Sequence, residues 1–375
     1  MIHYDCRHYI GKKPCKFKKL CENCSHYDAL KFKILIIKLG ALGDLLRTTP
    51  ILPALKRTYP NSEITWLTQS NCLPLLENIS EIDRVWVTDQ NAGIKVTAEH
   101  FDLMVNFDKE TPAVELATIS KAEIKKGFGL SQMGKLVALN QGSLYSLKLG
   151  INDELKFKVN KKTYQELAYE MADLDIPEKP PHYQLTLRAD EIEIASKWFY
   201  KQRKTTKGKF ILGINAGCGK IFATKKWHPE RYLELITKLY KTKKTIPILF
   251  GGKDEVELNN YLEKGLKKKK VPVLRPGENL ELRNFAAFIS QCNGVIAGDT
   301  LAMHLGLALG VKTVIVFTST CPQEIELYNL GATIIGKAEC APCYLSKCKQ
   351  KSQLCADGIS VKDFYDAVVN HMELR

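Results

Sequence analysis

The stretch KFKILIIKLGALGDLLRTTPILPALKRTYP (residues 31–60) decides the fold. Residues 31–40 form a short aliphatic and β-branched run closed by Gly40, the signature of a buried strand. Residues 45–60 carry helical spacing, with Pro50 and Pro53 marking a kink or a fresh helix start. The loop between them, Gly40-Ala41-Leu42-Gly43-Asp44, joins strand to helix, and glycines there let backbone N–H groups approach a ligand. Its G-x-x-G spacing is not the G-x-G-x-x-G of dinucleotide binding. A carboxylate directly after Gly43 would repel a pyrophosphate. Asp44 therefore reads either as a base that accepts a proton from a hydroxyl or as a helix cap.

Working outward, the same strand-then-helix alternation recurs. Residues 63–68, 83–88, 101–107 and 122–129 read as further strands, which implies a parallel, doubly wound sheet. LDIPEKPPHYQLTL (174–187) breaks the pattern with three prolines and reads as an interdomain linker. An amphipathic helix over 189–202 follows, then strands at 210–214, 247–252, 271–274, 294–298 and 313–317 with a helix at 229–241. The expected organisation is a Cys-rich lobe (1–30), a first α/β domain (31–185), a second (186–357), and a final helix (358–375) that could pack back on the first domain. With 375 residues and 45% apolar content, the chain can bury two cores. No apolar run is long enough for a membrane span and no secretory signal is evident, so a cytoplasmic location is expected.

Three further loops carry chemistry. Asn215-Ala216-Gly217-Cys218-Gly219-Lys220 suggests a P-loop but fails the Walker pattern, because Ile221 stands where Ser or Thr would bind magnesium. Just beyond it, Lys225 and Lys226 make a diphosphate site or a surface charge pair. Gly298-Asp299-Thr300-Leu301-Ala302-Met303-His304 joins a strand to a helix. Asp299 or Thr300 would be the N-cap, and His304 would sit in the first turn past a strand end, where open α/β sheets bind ligands. Asp254 and Glu255, after Gly251-Gly252, can accept ribose hydroxyls or begin a helix.

The ordered blocks IIKLGALGDLLRTTPILPALKRTYP, INAGCGKIFATKKWHPERY, ILFGGKDE and GDTLAMHLGLALGVKTVIVF resemble glycosyltransferase family 9, which contains the ADP-heptose:lipopolysaccharide heptosyltransferases. The resemblance runs from about residue 31 to the C-terminus. It implies a GT-B fold, two Rossmann-like domains facing across a cleft, and inverting transfer with no cofactor or metal for catalysis. By that resemblance Asp44 is the general base, with Gly40 and Gly43 shaping its loop on the acceptor side. Lys225, assisted by Lys226, holds the donor phosphates. Asp299, Thr300 and His304 surround the donor, and Asp254 or Glu255 binds the ribose. ADP-heptose is the implied donor and an anionic lipopolysaccharide core or related glycan the implied acceptor. The family usually carries Gly where this chain has Leu301.

The cysteines form two clusters. Cys6, Cys15, Cys21 and Cys24 fall in one, and Cys340, Cys343, Cys348 and Cys355 in the other. Each contains a Cys-x-x-Cys pair, and four thiolates suit a structural zinc or an iron–sulfur centre, the N-terminal set more than the C-terminal one. Cys72, Cys218, Cys292 and Cys321 read as isolated small hydrophobes. The net charge of +14, with lysine runs within 121–126, 201–209, 241–244 and 267–270, suits an anionic partner such as the inner-membrane surface. A basic, Cys-rich nucleic-acid-binding protein is the rival reading. Its Cys spacings match no DNA-reading finger, so no nucleic-acid partner is expected.

Overall fold

The computed structural model describes residues 1–179, 181–219, 221–278 and 280–374. They form two compact units, Met1–Lys156 with Gln165–Pro181, and Phe157–Tyr164 with His182–Arg375. The excursion of 157–164 into the second unit departs from a single cut in the proline-rich linker. Phe157 stacks on Tyr344, with ring centroids 5.7 Å apart, which supplies its physical reason.

The first unit is built on β1 (Phe32–Ile37), β2 (Ser62–Thr68), β3 (Arg84–Val87), β4 (Phe101–Asn106), β5 (Ala122–Leu130) and β6 (Leu136–Ala138). Their spatial order is β3-β2-β1-β4-β5-β6. All neighbours pair in parallel except β5 with β6. Central β1 is sandwiched, with Ile34 beside Ile64 on one side and Leu103 on the other. Leu35, Ile37, Leu67, Phe101 and Met104 bury one face of the sheet with Ala113 and Ala117 of the helix Thr111–Ile119. The two prolines act as the sequence suggested. Helices Leu42–Thr48 and Leu52–Thr58 are separated by a turn of 3₁₀ helix, Thr49–Ile51, and each proline sits in a first turn where its missing N–H has no intrahelical partner to lose.

The second unit carries β7 (Phe210–Asn215), β8 (Thr245–Leu249), β9 (Gly294–Gly298), β10 (Thr313–Phe317) and β11 (Gly331–Ile335), all parallel, in the order β11-β10-β9-β7-β8. The expected strand at 271–274 is reduced to one parallel bridge, Leu274 with Ile248 of β8. Pro272 has no N–H to contribute, so a full ladder cannot form. Counting that bridge as a strand, both units share the order 3-2-1-4-5-6 of a doubly wound nucleotide-binding sheet. The short strand β6 and the edge strand β11, which opens on Gly-Ala, carry too little β signal for the sequence to announce them.

The final helix, Val361–His371, corrects one expectation. It does not use its apolar face on the first unit. Phe364 and Val368 enter the second unit's own core with Trp227, Tyr232 and Leu235. Phe364 lies 4.9 Å from Trp227 between ring centroids, and the Trp227 indole donates to the Ile359 carbonyl at 3.3 Å. Truncating this fully buried ring in Phe364→Ala should lower the unfolding free energy by about 3–5 kcal/mol, measured by urea denaturation. A change under about 1 kcal/mol would show that the helix is not part of the core.

Candidate functional site

Strands on either side of β1 are reached by connections that leave in opposite directions, which opens a crevice at the C-terminal ends of β1 and β4. Lys38 and Asp108 close its floor. Their side chains are only 4% and 8% exposed. The Lys38 ammonium donates to the Gly40 carbonyl at 2.5 Å and to the Asp108 carboxylate, whose other oxygen accepts from the Leu39 N–H at 2.5 Å. Asn106 ties the next strand in: its amide donates to the carbonyls of Asp108 (2.9 Å) and Phe128 (2.8 Å). Gly127 is needed there, since at φ +88° a Cβ would lie 1.9 Å from the Asn106 carbonyl oxygen.

This braced floor carries the loop of Asp44. The helix Leu42–Thr48 has Ala41 as its N-cap, so Asp44 is a first-turn residue and not the cap. Its carboxylate pairs with Arg47 at 2.7 Å and stays 39% exposed. Gly40 lies in the loop that follows β1, and Gly43 precedes Asp44 within the helix. Cys72 reaches the same floor, its thiol 3.4 Å from the Leu39 carbonyl. Burial pushes that thiol up, against the opposing pull of Lys38, so it stays protonated.

In the second unit the equivalent crevice lies between the ends of β7 and β9. Thr300 is the N-cap of the helix Leu301–Ala308. Its hydroxyl donates to the Asn215 side-chain oxygen at 3.0 Å instead of capping, which joins the two strand ends. The Lys225 ammonium meets the Asp299 carboxylate at 2.9 Å, and the two side chains are 18% and 16% exposed. Burial alone would raise the Asp299 carboxyl. The Lys225 charge, with a smaller contribution from His304, outweighs it and holds the carboxyl below its usual range. His304 is buried, with Nδ1 3.1 Å from the Tyr183 hydroxyl.

Glu255 ties two glycine loops together. Its carboxylate oxygens accept from the N–H groups of Gly219 (2.8 Å) and Gly252 (2.9 Å). A Cβ on Gly217 would lie 2.1 Å from Glu255 Cγ, so only glycine permits this approach. Each oxygen keeps a further lone pair for a hydroxyl. Asp254 stands beside Gly219, its Oδ2 3.9 Å from where that residue's Cβ would be. Lys220, part of the same motif, lies outside the described residues. Cys218 is no isolated hydrophobe. Its thiol lies 3.2 Å from the Phe222 carbonyl, and burial raises it while the charges of Lys226 and Lys225 pull the other way.

The turn Ala223–Lys225 is held from behind. Thr318 donates to the Thr224 carbonyl at 2.7 Å, and Gln353 donates to the carbonyls of Thr224 (2.6 Å) and Lys226 (3.2 Å). The Thr224 hydroxyl reaches Ser319 and the Leu345 carbonyl. The segment containing Cys340, Cys343, Cys348 and Cys355 therefore braces the lysine turn, and Cys340 and Cys343 lie close enough to Cys355 to influence its thiol. Cys6, Cys15, Cys21 and Cys24 line one cavity in the N-terminal lobe. Among the described residues, no three His, Cys, Asp or Glu side chains are already grouped as a metal ion would hold them.

The geometry thus collects Lys225, Lys226, Asp254, Glu255, Asp299, Thr300 and His304 around the strand ends of one unit and places Asp44, Gly40 and Gly43 at those of the other. Sequence reasoning missed Lys38, Asp108, Tyr183 and Gln353, and placed Asn215 in a loop without its role at Thr300. Lys38, Asp108 and Asn215 were accessible through one signal, a polar residue directly after an apolar strand. Tyr183 was hidden in the linker and Gln353 in the Cys-rich segment. Because Asp108 is the partner of a buried ammonium, Asp108→Ala should cost about 3–5 kcal/mol of stability in chemical denaturation. The double variant Lys38→Met/Asp108→Leu should recover much of it. Equal losses in both would refute the ion-pair account.

Comparison with known proteins adds to this geometry. The profile of glycosyltransferase family 9 (heptosyltransferase) matches residues 93–353, beginning after the Asp44 loop. Lipooligosaccharide heptosyltransferase 2 of Haemophilus ducreyi is 22% identical over 314 residues, covering 81% of this chain and 88% of the relative. Among solved structures, the chain is similar to ADP-heptose lipopolysaccharide heptosyltransferase II of E. coli, with TM-score 0.66, 16% identity, and coverage of 91% of this chain and 98% of that one. It is also similar to the iron-containing dodecameric glycosyltransferase TibC of enterotoxigenic E. coli, with TM-score 0.52, 12% identity, and coverage of 92% and 76%.

Proposed function

The chain belongs to glycosyltransferase family 9, and we propose that it transfers a heptose from ADP-heptose to a hydroxyl of a lipopolysaccharide core or related glycan, with inversion and without a catalytic metal. The GT-B fold and the glycosyltransferase class follow from the family and from the two Rossmann-like sheets. The names of the relatives support the donor and acceptor. The observation that carries the reading is the convergence of Lys225, Asp299, Thr300 and Asn215 at the switch point of the second sheet.

In this reaction the acceptor oxygen attacks the anomeric carbon, the bond to the diphosphate breaks, and its electron pair leaves with ADP. Asp44 accepts the acceptor's proton. One displacement at one carbon gives inversion. Charge builds on the departing diphosphate, and Lys225, Lys226 and the N–H groups opening the helix Leu301–Ala308 are the groups that offset it. The donor phosphate competes with Asp299 for Lys225, so that pair pre-positions the ammonium before donor binds. The Tyr183–His304 contact orients the imidazole beside Asp299. Glu255, fixed by two backbone N–H groups, and Asp254 accept ribose hydroxyls. Leu301 replaces the family's usual glycine beside the phosphates and narrows the choice of donor.

Two supporting assignments belong to the same reading. Cys340, Cys343, Cys348 and Cys355 are the weaker candidate set for a structural zinc or iron–sulfur centre, which would stiffen the brace behind Lys225; the similar structure of TibC is described as iron-containing. The net charge of +14 suits an acceptor held in an anionic leaflet, with the enzyme acting from the cytoplasmic side as a peripheral protein. Among the described residues, no helix is long and apolar enough to cross a membrane.

Thermal-shift titration with ADP, UDP, GDP and CDP tests the donor side, and ADP should stabilise the protein most. Equal shifts for all four would reject an adenosine donor. Asp44→Asn should reduce turnover by about 10²–10⁴-fold with donor affinity unchanged, measured by product formation and calorimetry. Normal turnover would remove Asp44 from the chemistry. Lys225→Ala should weaken donor binding by about 10–100-fold, the value of a charge-assisted hydrogen bond, and an unchanged donor Kd would reject its role.

A further inference from the structure

The lobe preceding β1 has a problem of physical stability. No hydrophobic side chain before Ile34 is buried, and Met1, Ile2, Tyr4, Ile10 and Leu20 are exposed. Its described ladder is a single bridge, Cys6 with Ala29. A segment this short with no apolar core needs a covalent or metal staple to hold one conformation. Yet it docks on the first unit by a specific contact: Arg7 pairs with Asp83 at 2.7 Å and donates to the Asn61 carbonyl at 3.0 Å.

Its backbone is organised around the cysteines. Each of the four opens a hydrogen-bonded four-residue turn, the carbonyls of Cys6, Cys15, Cys21 and Cys24 accepting from the N–H groups of Tyr9 (2.9 Å), Lys18 (2.9 Å), Cys24 (3.2 Å) and Tyr27 (3.1 Å). Lys18 and Asn23 take left-handed φ angles of 53° and 56° to close the second and third of these turns. All four cysteines line one cavity, and four thiolates make the closed tetrahedral set of a structural zinc site. Two imidazoles line the same cavity and are packed by aromatic rings: His26 stacks on Phe17 at 3.9 Å and His3 packs on Tyr27 at 4.4 Å.

We infer that Cys6, Cys15, Cys21 and Cys24 bind one zinc ion as four thiolates, and that this ion staples the lobe against the N-terminal end of β2. Binding exchanges four S–H protons for four Zn–S bonds of about 2.3 Å, drawing the turns together. The resulting site carries two negative charges, and Lys12, Lys13, Lys16, Lys18 and Lys19 of the same lobe balance them. No part of this depends on the sugar-transfer reading.

The test uses the full chain produced with zinc supplied, with metal content measured by mass spectrometry. A Cys340→Ser/Cys343→Ser background removes the other cluster from the count. That protein should hold one zinc per chain, and adding Cys21→Ser/Cys24→Ser should abolish it. Cobalt exchanged into the background protein should show the thiolate charge-transfer absorption of a tetrahedral site. If the quadruple variant fails to fold, a chelator titration of the background protein replaces it, and zinc release should render residues 1–31 trypsin-sensitive while the remainder resists. Recovery of these four cysteines as two disulfides, iron in place of zinc, or no bound metal in the background protein would overturn the assignment.

Discussion

A parallel sheet whose first strand lies in its middle must send its connections in opposite directions, and that constraint organises this protein twice. Wherever neighbouring connections diverge, the strand ends are left uncovered, and backbone N–H groups and polar side chains can face a ligand there. In the first unit the divergence falls between β1 and β4, in the second between β7 and β9. The family's chemistry is placed on these two divergences: the proposed base follows one, and the proposed phosphate lysine, threonine and histidine surround the other.

Each divergence also contains a Lys–Asp pair, and the two pairs do different work. Lys38 and Asp108 are sealed in, and both ends of the pair are consumed by backbone groups of the same loops. That arrangement shapes the floor, and its burial keeps the pair from a substrate. Lys225 and Asp299 are less buried, and the lysine arrives on a short turn supported from behind by Thr318, Ser319 and Gln353. The Lys225 ammonium, paired with the Asp299 carboxylate and 3.4 Å from its carbonyl, is the more accessible of the two and is the one proposed to exchange its partner for a phosphate. The difference between the structural pair and the proposed functional pair is therefore one of access, not of residue type.

The Cys-rich segments show how a small amount of chain can be given a fixed shape without a core of its own. The later segment is held by its role as a prop, with Gln353 and the Leu345 carbonyl bonded to the lysine turn. The earlier one arranges its turns around four thiols and is moored by Arg7. Both sit outside the two sheets, and only the later one reaches an apolar core, through buried Cys355.

Residues 31–60 by themselves determined a buried strand, a glycine loop and an interrupted helix, because local sterics and apolar spacing act over a few residues. The same is true of most other strands and of the positions of Asp44, Lys225, Asp299, Thr300 and His304 next to strand ends. Tertiary structure alone decided which partner each of those groups has. Thr300 bonds Asn215 across 85 positions of sequence, Tyr183 reaches His304 from the linker, and Phe364 closes the second core instead of returning to the first. Such pairings depend on strand order and on which faces remain unburied after the sheets form. Those are properties of the assembled units that no local window of residues contains.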